Sequence, residues 1–391
     1  MVATIVLASV AAYVTPLSAG AGNTTKTAAV TSPTARAGNA STAAVKTTPI
    51  VGAGVWHIQT VDSAGDAIYT SLQLTTAGWP AISYWNMNNG TLKYVYKDAT
   101  GWHTETVDSS SGDPGDPTIG TSLALTPTNW PAISYWDGTN NALKYAYKNA
   151  TGWHIQVVDS NGGADSSLQL TPTGWPAISY AGNGGLTYAY KDAGGWHIQT
   201  VDSTGGSMTS LQLTTAGWPA ISYGSWTGTN LDLKYTYKDA SGWHNQVVDS
   251  YSNSNVGFDT SLQLTTAGWP AISYYHETNG STYPWAYDLK YAYKDAGGWH
   301  NQVVDSTHEK GLDTTSLQLT STGWPAISYY DFTKWIGSLK YTYKDASGWH
   351  IQVVDSTHWG VDSSLQLTPT GWPAISYGGN DPLMYAYKSA S

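Results

Sequence analysis

The sequence predicts an all-β fold, a seven-bladed β-propeller of four-stranded blades, because three phrases recur seven times each. The "WH" phrase starts at Trp56, Trp102, Trp153, Trp196, Trp243, Trp299 and Trp349. The "WPAISY" phrase starts at Trp79, Trp130, Trp175, Trp218, Trp269, Trp324 and Trp372. The "LxYxYK" phrase starts at Leu92, Leu143, Leu186, Leu233, Leu289, Leu339 and Leu383. The repeat of about 48 residues over 54–391 lies in the range of propeller blades.

Each repeat contains four short runs rich in β-branched and aromatic residues. In the first full repeat these runs begin at Ser71 ("SLQLT"), Pro80 ("PAISYW"), Leu92 ("LKYVYK") and Trp102 ("WHTETVD"). Glycine-containing turns such as "TAGW" and "DATGW" separate the runs. The repeats show no sustained helical period. Four antiparallel strands repeated radially are typical of a propeller, in which sheet edges are protected.

The two ends of the repeat region complement each other. The segment 54–63, "GVWHIQTVDS", is a fourth strand without the three that should precede it, whereas the last repeat ends after its third strand. We therefore expect the N-terminal outer strand to pair beside the C-terminal strands and close the ring. Closure by backbone hydrogen bonds would remove two free sheet edges.

The phrases "SLQLTxxGWPAISYYD", "LKYAYKDASGWH" and "IQTVDS" resemble the repeats of secreted bacterial seven-bladed β-propeller proteins. The resemblance covers residues 54–391 and no earlier residue. It implies the architecture but no particular activity, because propellers serve as lectins, enzymes and scaffolds.

Composition narrows the classes of partner. The chain of 391 residues has a formal net charge of −10, 11% charged residues and no cysteine. Negative charge disfavours nucleic acid and anionic membrane surfaces, and the lack of cysteine excludes disulfides and thiolate metal sites. The chain has 20 Trp and 28 Tyr but only 2 Phe, and Ser, Thr, Asn and Gly solvate its surface. This pattern favours an extracellular or cell-surface location.

Strand alternation divides the connections between two faces. Connections between strands one and two, and between three and four, are nearly invariant, whereas the others vary from "AGNGG" to "YHETNGSTYPWAYD". The variable face is expected to carry specificity. It holds the tryptophans outside the repeated phrases, which are Trp85, Trp136, Trp226, Trp285, Trp335 and Trp359. Such residues could stack on sugars or anchor a protein partner, or fold back to cover the blade ends.

The repeats contain no local catalytic or metal-binding motif. One histidine per outer strand would lie on the perimeter, too far from the others to share an ion. These histidines are His57, His103, His154, His197, His244, His300 and His350. The "VDS" aspartates are expected to accept backbone N–H groups in the following turn, and His276, Glu277 and Asp331 are titratable but not repeated. We therefore expect a protein that is not an enzyme and has no cofactor or metal.

Residues 1–53 differ from the repeats in having no acidic residue. Residues 1–14 are apolar but too short for a stable membrane span. Residues 15–53, rich in Ala, Thr, Ser and Gly, are predicted to form an extended arm or linker. An apolar tip on an arm is typical of filament subunits, in which it enters a neighbour as a strand or bundles as a helix. A signal or anchor remnant and simple disorder are the alternatives.

The first functional prediction is a non-enzymatic structural subunit of an extracellular filament, a homopolymer with the propeller of residues 54–391 as its exposed head. The residues expected to join subunits are Val2, Ile5, Val6, Leu7, Val10, Tyr13, Val14, Lys26, Arg36 and Lys46. The alternative is a secreted, multivalent, lectin-like propeller that binds glycans. N-x-S/T sequons also predict glycosylation. Their asparagines are Asn23, Asn39, Asn89, Asn149 and Asn279.

Overall fold

The computed structural model is built of β-strands and turns, which confirms the all-β prediction. It describes residues 54–109, 120–278, 286–306, 314–333, 336–379 and 381–390, and these belong to one compact unit, Thr48–Ser391. The described residues form 28 strands, which pair in four-stranded units. Within the described ranges, no helix has the length and apolarity needed to cross a membrane.

The strands fall into four classes by their position in the repeat. The first strands are β2 (Ala67–Leu74), β6 (Thr121–Leu125), β10 (Gly162–Leu170), β14 (Ser207–Leu213), β18 (Val256–Leu264), β22 (Ser316–Leu319) and β26 (Val361–Leu367). The second strands are β3 (Pro80–Asn86), β7 (Pro131–Asp137), β11 (Pro176–Gly182), β15 (Pro219–Trp226), β19 (Pro270–Glu277), β23 (Pro325–Thr333) and β27 (Pro373–Gly378).

The third and fourth strands complete each unit. The third strands are β4 (Thr91–Asp98), β8 (Ala142–Asn149), β12 (Gly185–Asp192), β16 (Leu231–Asp239), β20 (Tyr287–Asp295), β24 (Ile336–Asp345) and β28 (Leu383–Ser389). The fourth strands are β5 (Gly101–Asp108), β9 (Gly152–Asp159), β13 (Gly195–Asp202), β17 (Gly242–Asp249), β21 (Gly298–Asp305), β25 (Gly348–Asp355) and, from the N-terminal end, β1 (Val55–Asp62).

Burial explains why the four runs differ in sequence. The "PAISY" segment of β3 is buried at every position, as expected for a strand covered on both sides. The fourth strand β5 is partly buried or exposed at its first six positions, as expected for an outer strand. The sequence thus places its most apolar strand between neighbours and its most polar strand at the rim.

The strands of each unit pair in sequence order as antiparallel meanders. Five sheets contain four strands, and one contains eight. The eight-stranded sheet consists of two such meanders joined by a single parallel bridge between Gly162 and Ala142. All units therefore have the same internal topology.

The predicted pairing of the two chain ends is present. β1 pairs antiparallel with β28, with Trp56 opposite Lys388 and Ile58 opposite Ala386. The sheet order is β1-β28-β27-β26, so the N-terminal strand supplies the missing outer strand of the last unit.

The apolar core lies between successive sheets. One cluster combines Leu72, Ile82 and Tyr84 of the first unit with Leu383 and Tyr385 of the last. The tryptophan of each "WH" phrase packs edge-on against a tyrosine of the preceding unit, as Trp153 does against Tyr94 at 5.5 Å between ring centroids. This arrangement places one large aromatic at each sheet-to-sheet contact.

Hydrogen bonds connect each first strand to the next. In every case a leucine N–H donates to a serine Oγ of the preceding unit at 2.9–3.0 Å. The donors and acceptors are Leu123 to Ser71, Leu168 to Ser122, Leu211 to Ser167, Leu262 to Ser210, Leu317 to Ser261, Leu365 to Ser316 and Leu72 to Ser364. The last bond returns from the first unit to the final one.

We predict that residues 54–391 keep the melting temperature of the full chain, whereas residues 64–391 melt markedly lower. Removing β1 exposes the edge of β28 and removes Asp62, which accepts the Tyr84 hydroxyl. Loss of a charged hydrogen bond and of partly buried Trp56 should cost at least about 3 kcal/mol. Thermal melts followed by circular dichroism measure the difference. Equal midpoints for the two truncated chains would show that β1 does not contribute to the fold.

Candidate functional site

The connections of each unit open on two opposite ends of the sheets. Because the strands alternate in direction, turns one-to-two (such as 75–79) and three-to-four (such as 98–101) lie at one end, which we name the turn face. The two-to-three connections and the links between units lie at the other end, the loop face. The turn face is nearly identical in every unit.

The turn between the first and second strands is fixed by its own hydrogen bonds. Thr75 N–H donates to the Trp79 carbonyl at 2.8 Å, and Trp79 N–H donates to Thr75 Oγ1 at 2.9 Å. Gly78 adopts a φ of 80°, which is accessible to glycine at little cost. Asn129 takes this position in the second unit with a φ of 64°. The side chain of the following tryptophan is therefore held on a rigid support.

These tryptophans are the largest exposed apolar groups on the turn face. Six keep between 37% and 40% of their surface accessible to solvent. They are Trp79, Trp130, Trp175, Trp218, Trp269 and Trp324. Indole rings that remain exposed on rigid turns, with buried prolines beside them, are available to contact a ligand.

The seventh tryptophan of this set, Trp372, is only partly exposed. The chain at Gly54, just before β1, packs against it: a Cβ atom added at Gly54 would lie 2.8 Å from Cζ3 of Trp372. The residue that precedes the N-terminal strand thus covers part of this ring. The turn face consequently has six open indoles and one that is partly covered.

A cavity of about 530 Å³ opens among the same turns. Its walls come from the ends of the first strands and include Gln73, Thr76, Pro127, Gln169 and Pro172. The lining mixes amide and hydroxyl groups with proline rings and contains no charged side chain among these described residues. Such walls suit a neutral, hydroxyl-rich ligand.

Four of the described turns between the third and fourth strands hold a network of Asp or Asn, Ser or Thr, and His. In the fourth unit, Ser241 Oγ donates to Asp239 Oδ1 at 2.6 Å and lies 2.9 Å from His244 Nε2. The same Nε2 lies 2.9 Å from Asp239 Oδ1. In a catalytic Ser–His–Asp triad, the histidine contacts the serine with one ring nitrogen and the aspartate with the other. Here Ser241 and Asp239 both contact Nε2 of His244. This network therefore caps a turn, and the stacking of His244 on Tyr237 at 4.8 Å fixes it further.

The hydrogen bonds in these turns hold the pKa of the carboxyl groups below the usual range. Bonds from Ser347 and His350 lower the pKa of Asp345 to about 2. Bonds from Ser241 and His244 do the same to Asp239. The turn face therefore presents ionised carboxylates over the whole range of ordinary pH.

The tryptophans predicted to lie on the loop face have different environments in the structure. Trp226 and Trp359 are 55% and 42% exposed. Trp136 is partly buried, and its indole N–H donates to Asn141 Oδ1. Trp85 is completely buried between the first and second units, so its prediction as a face residue was wrong. Trp285 and Trp335 lie outside the described residues.

The loop face of the fifth unit carries an asymmetric polar cluster. The His276 ring stacks on Tyr251 at 4.1 Å, and Tyr251 Oη lies 2.9 Å from Lys290 Nζ. His276 Nε2 lies 3.0 Å from Ser254 Oγ, and burial with nearby Lys290 lowers the pKa of His276. The sequence showed no local partner for His276, because Tyr251 and Ser254 come from the link between units. Asp331, the other non-repeated carboxylate, pairs with Lys340 at 2.6 Å.

Several predicted sites lie where the structure describes nothing. All the assembly residues between Val2 and Lys46, and the sequons at Asn23, Asn39 and Asn279, are outside the described ranges. Filament assembly and glycosylation therefore stay predictions. Asn89 and Asn149 are exposed, and Asn149 Oδ1 accepts the Thr151 N–H of its turn at 2.8 Å.

Comparison with known proteins identifies the fold of the chain but assigns it to no family. No protein-family model and no curated protein matches it. A solved ulvan lyase, described as a new family of polysaccharide lyase, gives a TM-score of 0.60 at 10% identity over 83% of this chain and 95% of that one. The polysaccharide lyase Uly1 gives 0.54 at 10% identity, over 83% and 89% of the two chains.

A third similar structure is the α-L-arabinanase of Penicillium chrysogenum complexed with arabinobiose. It gives a TM-score of 0.50 at 12% identity, over 85% of this chain and 97% of that one. At such identities the likeness shows the fold alone, which is that of a β-propeller.

The prediction that the protein is not an enzyme was wrong as a conclusion from the sequence, because polysaccharide lyases and an arabinanase are among the solved structures that share its fold. The prediction relied on missing local motifs. In a propeller, residues from distant repeats can meet at one face, so a catalytic set need not form a local pattern.

The exposed turn-face tryptophans were missed because they belong to an invariant phrase. In the sequence, repeated residues were interpreted as packing residues and variable residues as functional ones. One sequence signal for exposure was available. Each of these tryptophans directly follows a turn and directly precedes a proline, and a side chain at such a position rarely reaches the core. Trp79 and its equivalents meet that condition in every unit.

We predict that Asp345 titrates with a pKa near 2, well below an ordinary aspartate. Because the folded pKa is depressed, the stabilisation is present above the unfolded pKa of about 4 and is lost as pH falls through the folded value. Carboxyl-carbon NMR of the full chain measures this titration. Asp345→Asn should remove the resonance and keep the turn, as Asn149 does in the second unit. An ordinary titration near pH 4 would contradict the network.

Proposed function

We propose that this chain is a seven-bladed β-propeller that binds neutral carbohydrate chains multivalently through the tryptophans of its turn face. The observation that carries the proposal is the set of six tryptophans, each 37–40% exposed on a hydrogen-bonded turn. A flat indole face packs well against the C–H surface of a sugar ring, while nearby hydroxyl and amide groups serve the sugar hydroxyls.

The repeated contacts between units support the ring. Seven four-stranded units, a first strand hydrogen-bonded to the last one, and a terminal strand that completes the final sheet are what a closed propeller requires. A ring presents its equivalent tryptophans in one plane. A polysaccharide with a repeating structure could then contact several of them together.

The energies favour many weak contacts over one strong contact. Covering roughly 100 Å² of indole at about 25 cal/mol/Å² gains about 2.5 kcal/mol before the costs of ordering. One such site binds weakly. Several sites on one chain can raise the avidity by factors of about 10² to 10⁴.

Charge on the turn face favours neutral polysaccharides. The exposed carboxylates of Asp239 and Asp345 stay ionised and would repel a polyanion. The lysines of this region are engaged, since Lys191 Nζ donates to Gln156 at 2.7 Å and lies 5.6 Å from the Trp196 ring centroid. Such lysines are poor partners for sulfate or carboxylate groups.

The comparisons support a carbohydrate ligand only at the level of fold. The similar solved structures are named as polysaccharide lyases and as an arabinanase with a bound disaccharide. Those activities do not transfer at 10–12% identity. The assignment rests on the turn face itself. A glycan partner also agrees with the extracellular or cell-surface location expected from composition.

We predict that Trp218→Ala weakens binding to an insoluble or gel-embedded neutral polysaccharide several-fold. Replacing Trp130, Trp175 and Trp218 together should weaken it at least about tenfold, because avidity falls with each lost site. Affinity electrophoresis against arabinan, xylan, mannan and β-glucan measures retention. Circular dichroism confirms that the variants fold.

Trp226→Ala provides the matched control. Trp218 precedes β15 at the turn face, whereas Trp226 ends the same strand at the loop face and is more exposed. The control should bind as the original chain does. Loss of binding in Trp226→Ala alone would move the site to the loop face, and no binding to any polysaccharide would overturn the proposal. Reducing ends and ultraviolet absorbance of unsaturated products, assayed in parallel, show whether a bound polymer is also cleaved.

A further inference from the structure

The turn-face cavity of about 530 Å³ is lined by residues of the first four units. Glutamines of the first and third units, Gln73 and Gln169, contribute side chains to its wall. The second unit lies between these two units, because its first strand is hydrogen-bonded to both of theirs. It departs from the repeat at two positions, Ala124 and Asn129.

Ala124 replaces a glutamine that the first strand of every other unit contains. That glutamine stands between two leucines at Gln73, Gln169, Gln212, Gln263, Gln318 and Gln366. Ala124 packs against the apolar cluster of Leu168 and Ile178 and is not among the lining residues. Because the equivalent glutamines on either side reach the cavity, a glutamine at position 124 would extend into it as well. The short side chain of Ala124 thus leaves space between Gln73 and Gln169.

Asn129 replaces the glycine that the other units have in the turn between the first and second strands. Its Oδ1 accepts the Thr76 N–H at 3.0 Å, and its Nδ2 donates to Thr76 Oγ1 at 3.1 Å. The φ of 64° at Asn129 is costly for a residue other than glycine. Asn129 and Thr76 both line the cavity, so this side chain ties the turns of two units together at the wall. Both departures of the second unit therefore shape the same cavity.

The two lining glutamines have unused hydrogen-bonding groups. Gln73 and Gln169 are partly buried, and their side-chain amides form no hydrogen bond with any described residue and stay accessible to solvent. Each amide offers two N–H donors and one carbonyl acceptor. The neighbouring threonine hydroxyls are engaged in their own turns, as Thr126 Oγ1 is by the Trp130 N–H at 2.9 Å. Two free amides beside leucine and proline side chains suit a small neutral ligand with several hydroxyl groups.

The cavity is closed at its floor. A second cavity of about 180 Å³ lies at the loop-face ends of the first strands, and the two cavities share no lining residue. Between them lie residues that line neither cavity, such as fully buried Leu72 and Ser71, whose Oγ accepts the Leu123 N–H. Within the described residues a sugar chain therefore has no route from one cavity to the other. A pocket of this depth and volume receives the end of a chain.

We propose that this cavity binds the terminal sugar of a neutral polysaccharide, with Gln73 and Gln169 hydrogen-bonding to its hydroxyl groups and its ring in the space beside Ala124. The inference rests on the proposed carbohydrate-binding function and adds a site for the chain end. Trp130 directly follows the lining residue Asn129, so the sugars that leave the pocket meet an exposed indole at once. One chain is then held at its end and along its length.

Calorimetry of the full chain with tetrasaccharides of arabinose, xylose, mannose and glucose tests the pocket. Ala124→Gln inserts the side chain that the other units have, so it should fold normally yet lower the affinity at least about tenfold. Replacing Gln73 and Gln169 together by alanine should also lower it about tenfold, because two hydrogen bonds are lost. Gln318→Ala is the matched control, since it removes the equivalent glutamine of the sixth unit, which is not among the lining residues. It should bind like the original chain, and circular dichroism confirms folding.

Blocking the ends of the best tetrasaccharide shows whether the pocket holds a chain end. A benzyl group on one of the two ends should lower the affinity at least tenfold, whereas the same group on the other end should not. Equal binding of both benzylated forms, or unchanged affinity in Ala124→Gln and in the double glutamine variant, would overturn the inference. Retention by a polysaccharide gel without binding of any tetrasaccharide would overturn it but leave the proposed function standing. Failure of both experiments would overturn both.

Discussion

A hydrogen bond between tyrosine and aspartate joins each unit to the next, and the positions of both faces depend on it. The tyrosine of each "WPAISY" phrase donates its hydroxyl to the "VDS" aspartate of the preceding unit at 2.5–2.7 Å. The pairs are Tyr84–Asp62, Tyr135–Asp108, Tyr180–Asp159, Tyr223–Asp202, Tyr274–Asp249, Tyr329–Asp305 and Tyr377–Asp355. A buried tyrosine hydroxyl needs such a partner, and a bond to a charged acceptor contributes about 1.5–3 kcal/mol.

The same aspartate performs a second task with its other oxygen. Asp202 Oδ1 accepts the N–H and hydroxyl of Thr204 in the following turn, while Oδ2 accepts Tyr223 and Lys234. Burial opposes the charge, but these bonds prevail and lower the pKa of Asp202 to about 2. One carboxylate thus fixes both the exit of a fourth strand and the distance to the next sheet. Because Asp62 belongs to β1, the N-terminal strand brings this link to the last unit.

The regular part of this architecture could be predicted from sequence because it repeats. The four strands of each unit, their order, the pairing of β1 with β28 and the turn-capping role of the "VDS" aspartates all follow from recurring phrases. The tyrosine partner of those aspartates was not foreseen. It joins residues 21 to 27 positions apart, and no local pattern marks the pair.

The candidate sites were harder to predict, for physical reasons that differ between them. Trp79 and its equivalents repeat as faithfully as the core does, so repetition alone could not separate exposed from buried. Trp85 varies among units, yet it fills the space between two sheets. His276 depends on a link of irregular length, since its stacking partner Tyr251 lies between β17 and β18. Whether a side chain is exposed, and whether side chains from different units meet, depends on how the sheets pack. The sequence of a single repeat does not contain that information.

The most direct measurement of the central claim is an NMR spectrum of the indole N–H groups in chain labelled at tryptophan, recorded during titration with a neutral oligosaccharide. Resonances of Trp79, Trp130, Trp175, Trp218, Trp269 and Trp324, assigned by single substitutions, should shift together and saturate in parallel. Trp372 should shift less because Gly54 covers it, and Trp226 should not shift. Shifts confined to Trp226 and Trp359, or an unchanged spectrum with every oligosaccharide, would contradict a carbohydrate-binding turn face.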